Sequence, residues 1–223
     1  MFPVPKIIRS NRKTIALVIQ PNGELLVRAP KRATKKQIDE MVAEHANWIA
    51  KKQAKAIAAQ AAYAPHQFLG GESFSFLGDD YSLQFVRKEK PIFDLNGNFQ
   101  LAQSSRGRAE QIFEKWYKQQ ARQIFTDRVE HFASEYGFDY GKLRLSSART
   151  RWGSCSAKGT ISLTWRLVMA PMEIIDYVVV HELSHLREHN HSKKFWAQVG
   201  AILPDYKARR KWLKDNGRSF HWP

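Results

Sequence analysis

A single cysteine, Cys155, stands in 223 residues, which excludes an intrachain disulfide and a four-cysteine zinc ribbon and fits a reducing compartment. Long apolar runs are missing too. The longest uninterrupted stretches are a few residues, as at Tyr177 to Val180, against roughly 18 for a bilayer-spanning helix, so no membrane span is expected. Met1 to Lys13 carries Pro3, Pro5 and four basic residues without the apolar core that secretion requires, and a cytoplasmic location is expected. Acidic residues are scarce: 21 Asp plus Glu face 36 Lys plus Arg, a net charge of +15. Such a field attracts polyanions, nucleic acid included. No arginine-rich tract or aromatic-interleaved module accompanies it, so a solvated surface explains the charge equally simply.

What is present is ordinary for a globular protein. Hydrophobic residues make up 43% and charged residues 26%, which excludes global disorder and collagen-like chains. Two β-prone runs, Thr14 to Gln20 and Glu24 to Arg28, flank Pro21-Asn22-Gly23 and predict a hairpin. From Thr34, a capping residue, Ile38, Met41, Val42, His45, Trp48 and Ile49 recur at helical spacing to about Ala62, before Pro65. Phe74 to Leu77, Tyr81 to Val86 and Ile92 to Leu101 predict a small sheet, broken at Gly78-Asp79-Asp80 and Asn96-Gly97-Asn98. Gln103 to Gly107 reads as a polar hinge. A long helix over 109–136 follows through Ile112, Trp116, Ala121, Ile124, Phe125, Val129 and Phe132. Leu143 to Leu145 and Thr160 to Leu167 predict strands around the loop 149–156, with Gly153 and Gly159 suited to turns. The expected class is α+β, with a β-rich N-terminal unit over 1–104 and a helix-rich domain over 105–223.

Pro171 opens a helix that Ile174, Ile175, Val178, Val179, Leu183 and Leu186 surround with apolar surface, predicting burial. That helix carries His181-Glu182-Leu183-Ser184-His185, the pattern H-E-x-x-H. Spacing of four puts both imidazoles on one helix face, where each reaches a shared ion at about 2.0 to 2.1 Å. Glu182 is turned away by one residue, free to act as a general base on a zinc-bound water attacking an amide carbonyl. Burying three such groups without a metal or other partners costs several kcal/mol.

A catalytic zinc needs a third ligand and an open position. His189 continues the helical series about 12 Å along the axis from His181, too far to share the ion. His191 follows Asn190, a residue tolerant of the left-handed turn that ends helices, and is the preferred third ligand. Ser192 suits the N-cap of a helix bearing Phe195, Trp196 and Val199. His45, His66, His131 and His221 are isolated and read as structural or solvent-facing. Tyr177 reads as packing or as orienting a ligand, and Cys155 as a small packing group.

These residues carry a resemblance to a known family. Arg151-Trp152-Gly153-Ser154-Cys155, Ile161 to Leu167, Pro171, Asp176 to Leu186, Asn190-His191-Ser192 and Phe195-Trp196 resemble the YgjP-like metallopeptidases, relatives of the WLM and SprT-like zinc peptidases. Arg28-Ala29-Pro30, Trp48-Ile49, Gly70-Gly71-Glu72 and Gly78 to Tyr81 extend the likeness toward the N-terminus. The resemblance implies a zincin-like domain of gluzincin-like kind, one Zn2+ per chain on His181, His185 and His191, and Glu182 as base. Ser192-Lys193 stands where related families often have Gly-Pro after the third histidine. It also implies a peptide or protein substrate laid along a sheet edge, for which Thr160, Ile161, Ser162, Leu163 and Thr164 are the candidates. Arg149, Arg151 and Arg166 are candidates for holding substrate or a tetrahedral oxyanion. SprT-like relatives act on proteins bound to DNA, so a peptidase recruited by nucleic acid through the basic surface is the alternative. The oligomeric state stays open.

Overall fold

The structure, a computed structural model, describes residues 5–20, 22–62, 65–87, 92–220 and 222. Residues 1–4 at the head of the basic N-terminal segment, Pro21 of the expected turn and His221 lie outside them. No helix among the described residues is long and apolar enough to cross a membrane. The chain divides into two compact units, Met1–Ala64 and Pro65–Pro223.

In the first unit, β1 (Lys6–Ser10), β2 (Ala16–Ile19) and β3 (Leu25–Pro30) form one sheet in the order β1-β3-β2. β2 and β3 pair antiparallel, as the hairpin signal predicts, with Ile19 opposite Leu25. Gly23 takes the left-handed φ of +83° that the turn requires. β1, which the sequence reading left unassigned, pairs parallel to β3. The expected single helix is two: α1 (Lys35–Glu44), capped by a reciprocal Thr34 and Gln37 box, and α2 (Ala46–Ala62). The break is His45, with φ −100° and ψ 14° and its Nδ1 3.0 Å from the Met41 carbonyl oxygen. Leu25, Val27 and Ala29 bury against Ile38 and Ile49 to give this unit its own core.

In the second unit, β4 (Ser73–Phe76), β5 (Asp79–Val86), β6 (Phe93–Asn96) and β7 (Asn98–Ala102) form a sheet in the order β4-β5-β7-β6. A 3-10 turn over 103–108 leads into α3 (Ala109–Tyr136), which ends at Gly137 with φ +64°. Its fully buried row steps every fourth residue through Phe113, Tyr117, Ala121, Phe125 and Val129. Ile112, Trp116 and Ile124 flank that row half-buried. Phe113 meets Phe74 and Phe99 of the sheet at ring separations of 4.4 and 5.0 Å.

That aromatic contact moves the boundary expected at 104/105 to 64/65. Phe68, Phe74, Leu83, Phe99 and Leu101 share one core with the helices that follow them, so residues 65–104 join the second unit.

A third sheet comprises β8 (Lys142–Ser146), β9 (Gly153–Cys155) and β10 (Thr160–Thr164), in the order β8-β10-β9. β10 runs parallel to β8 and antiparallel to β9. The expected strand to Leu167 stops at Thr164, because Trp165–Met169 coils into a buried 3-10 segment. Three helices complete the unit: α4 (Met172–Ser184), α5 (Lys193–Ile202) and α6 (Tyr206–Asn216).

Candidate metal centre

α4 is buried on nearly every side through Ile174, Ile175, Val178, Val179, Val180 and Leu183. Pro171 precedes its first turn, and its carbonyl accepts hydrogen bonds from the amides of Ile174 and Ile175. Arg128 of α3 grips Asp176 with two bonds, Nε to Oδ1 at 2.6 Å and Nη2 to Oδ2 at 3.0 Å. A forked pair of this kind fixes direction as well as distance. The last turn of α4 is therefore held where its polar residues emerge.

His181 and Glu182 lie in that last turn, and His185 is the C-cap. The helix thus ends sooner than the series reaching His189 predicts, and the chain turns back through Asn190. The Asn190 Oδ1 accepts the Ser192 amide at 3.1 Å, and the Ser192 Oγ then accepts the Phe195 amide at 3.3 Å as the N-cap of α5. This turn brings His191 to the other two imidazoles. Ring centroids stand 5.0 Å apart for His181–His185, 4.9 Å for His181–His191 and 4.8 Å for His185–His191. One ring nitrogen from each lies within 4.8 Å of the others, the only such grouping of His, Cys, Asp and Glu among the described residues.

The nitrogens fit a shared cation. The Nε2 atoms of His181 and His191 are 3.0 Å apart, whereas two nitrogens bound tetrahedrally at zinc distances lie about 3.3 Å apart. His185 places Nδ1 3.0 Å from the Glu188 carbonyl oxygen, so Nδ1–H donates there and Nε2 keeps its lone pair for the cluster. Burial pushes the His181 imidazole down to about 3, with help from His185, His191 and Arg210. Burial, His185 and Arg210 also lower His191. Neutral imidazole is the form that binds metal.

Glu182 is buried, 6% exposed, and burial pushes its carboxyl up to about 7 against the opposing pull of Arg151. Its space comes from Gly153 of β9. A Cβ there would stand 2.5 Å from Oε1 and 2.8 Å from Cδ of Glu182, so the glycine assigned to a turn is instead a strand residue that makes room for the carboxyl.

The other predicted residues are distributed differently. Thr160, Ile161, Ser162, Leu163 and Thr164 form β10, the middle strand of its sheet, with Ile161 and Leu163 fully buried. A strand paired on both sides has no free edge to offer a substrate, which corrects that expectation. Arg166 is buried, donates from Nη1 to the Ser147 carbonyl at 3.1 Å and lies over the Trp165 ring at 4.6 Å. Arg149 and Arg151 are exposed on the loop before β9. Tyr177 stands 5.9 Å from His181, ring to ring, and Cys155 feels the charge of Glu182.

Arg210 escaped the sequence reading. It lies over the Trp196 ring at 4.7 Å, and Trp196 stacks on His191 at 5.6 Å. No local motif marks it. Only the packing of α6 beside α4 brings its charge to His181 and His191.

No curated protein matches the chain. Among solved structures, the crystal structure of the metallopeptidase zymogen of Pyrococcus abyssi abylysin is 28% identical, covering 40% of this chain and 93% of that one, with a TM-score of 0.37. The model of the YgjP-like metallopeptidase domain matches residues 13–216. With that match over nearly its whole length, the chain belongs to the YgjP-like metallopeptidases.

Proposed function

We propose that this metallopeptidase is a zinc enzyme of zincin-like build that hydrolyses peptide bonds, with His181, His185 and His191 as the zinc ligands and Glu182 as general base. The observation that carries the reading is the convergence of three imidazoles beside a buried carboxyl. Zinc, when bound, supplies Lewis-acid polarisation and lowers the pKa of water toward neutrality.

The chain's own residues do the rest. Glu182, raised toward neutral pH, accepts the proton of the attacking water and passes it to the nitrogen of the leaving amine. Gly153 leaves the carboxyl free to stand there. The Glu188 carbonyl holds the His185 ring at the proper tautomer. Phe195, fully buried, meets the rings of His181 and His185 at 4.9 and 4.5 Å and keeps water from their far sides. β9 lies at the edge of its sheet, and Gly153 ties that edge to Glu182. An extended substrate added along β9 places its backbone beside the base.

Arg210 is the cation suited to a developing oxyanion, since its charge reaches both His181 and His191. The test is Glu182→Gln. This variant keeps one zinc per chain and loses peptide hydrolysis by about a thousandfold or more, within the range that removing a catalytic triad member costs. Hydrolysis at the original rate would remove Glu182 from the mechanism.

A further inference from the structure

Beside the loop that leads into β9 lies a cavity of about 210 Å³. Arg149, Arg151, Arg166 and Lys214 line it, Trp152 and Phe220 give it aromatic walls, and no acidic side chain lines it. Arg151, Arg166 and Lys214 bring positive charge to one hollow, which favours an incoming anion there.

Arg166 is the most telling of them. It is 93% buried by its 7% exposure, and its one described hydrogen bond runs from Nη1 to a carbonyl oxygen. Among the described residues, no carboxylate lies within ion-pair distance of it. Burial and the charge of Arg149 both hold its guanidinium below its ordinary value, with Glu114 only partly offsetting them. A buried guanidinium with no carboxylate at ion-pair distance is costly unless an anion joins it. The planar fork of Arg166 suits the two oxygens of a carboxylate.

The cavity's position assigns its occupant. Arg151 lines it and also acts on Glu182. Trp152 lines it and is followed directly by Gly153, which abuts the Glu182 carboxyl. The hollow is therefore lined by the two residues that precede Gly153, the residue packed against the carboxyl of the general base. Resting on the peptidase reading above, we infer that this cavity is a specificity subsite that takes a carboxylate of the polypeptide substrate close to the scissile bond. That carboxylate comes from an Asp or Glu side chain or from the chain terminus.

The test uses the zinc-loaded full chain and three sets of quenched fluorescent peptides. One set is neutral and amidated, one has a single Glu stepped across the sequence, and one is neutral with a free C-terminus. A carboxylate set is cleaved with kcat/KM at least about tenfold above the neutral set, the scale of one charge-assisted hydrogen bond. The set that responds identifies the source. Lys214 is exposed, so Lys214→Glu should fold, which its zinc content checks; in it the ratio collapses toward one. Arg166→Lys, which keeps the charge and loses the fork, lowers the ratio as well.

Equal cleavage of all three sets, or a ratio that survives Lys214→Glu, overturns the subsite and leaves the peptidase standing. If no peptide is cleaved, calorimetric titration with the same peptides decides. Tighter binding of a carboxylate peptide that Lys214→Glu removes upholds the subsite while the peptidase reading falls; equal binding of all sets sinks the subsite. Should a short single-stranded oligonucleotide alone bind in a Lys214-dependent way, the cavity is a phosphate site and the inference is wrong.

Discussion

Gly153 shows how much one missing Cβ decides. The carboxyl of Glu182 occupies the place where any other residue would put its first side-chain carbon. Gly153→Ala should therefore displace the base without touching the imidazoles. The expected result is a fall in kcat/KM of about a hundredfold, the scale of a 1 Å misplacement, with zinc content unchanged; unchanged turnover would show that the carboxyl is placed by something else. In the proposed mechanism the same carboxyl sets the pH profile. Burial raises it to about 7, and a dication nearby favours its charged form and draws it down again. The base must be ionised, so a pH–rate profile should show kcat/KM falling on acidification, with its inflection at or below pH 7 and a slope of about one decade per unit. A rate that rises as pH drops through this window contradicts the assignment. At this scale, His181, Glu182 and His185 were legible because their chemistry sits in five consecutive residues. Gly153 and Arg210 were not, because each acts on residues far away in sequence.

Among the elements, α4 carries the site and α3 holds α4. The Arg128–Asp176 pair joins them with both partners largely covered, at side-chain exposures of 27% and 14%. Asp176→Asn leaves a partly buried guanidinium without its counter-charge, and thermal unfolding should report a loss of about 2 kcal/mol. A stability within 0.5 kcal/mol of the parent, roughly what an ordinary surface substitution changes, would mean that the α3–α4 packing alone suffices. Helix and strand locations were mostly readable, since the Asn-Gly turn, the Thr34 cap and the Ser192 cap each have local causes. Strand order was not. Alternation along Thr160 to Thr164 says which side chains turn inward, but nothing in it says that β8 and β9 cover both edges. The 3-10 segment after Thr164 escaped for a related reason: Trp165, Leu167 and Val168 are apolar in any conformation, and tertiary burial chose the tighter coil.

For the whole molecule, aromatic packing outranks sequence order. The run of strands before residue 104 looked continuous with the N-terminal hairpin, yet Phe74 and Phe99 bury against Phe113 of α3 and belong with the metal-centre half. Composition could not reveal that allegiance, because burial against a distant helix leaves no local periodic signal. The basic surface, at a net +15, also acts at this scale, setting long-range attraction for anions while the fold sets where they dock. The site nevertheless stands on one local fact, the convergence of three imidazoles. Zinc K-edge X-ray absorption on the reconstituted full chain tests it directly. The account predicts one zinc per chain with three imidazole nitrogens at about 2.0 to 2.1 Å, and loss of an imidazole shell in His191→Ala. Protein that stays metal-free after reconstitution, or a zinc shell that His191→Ala leaves intact, would contradict it.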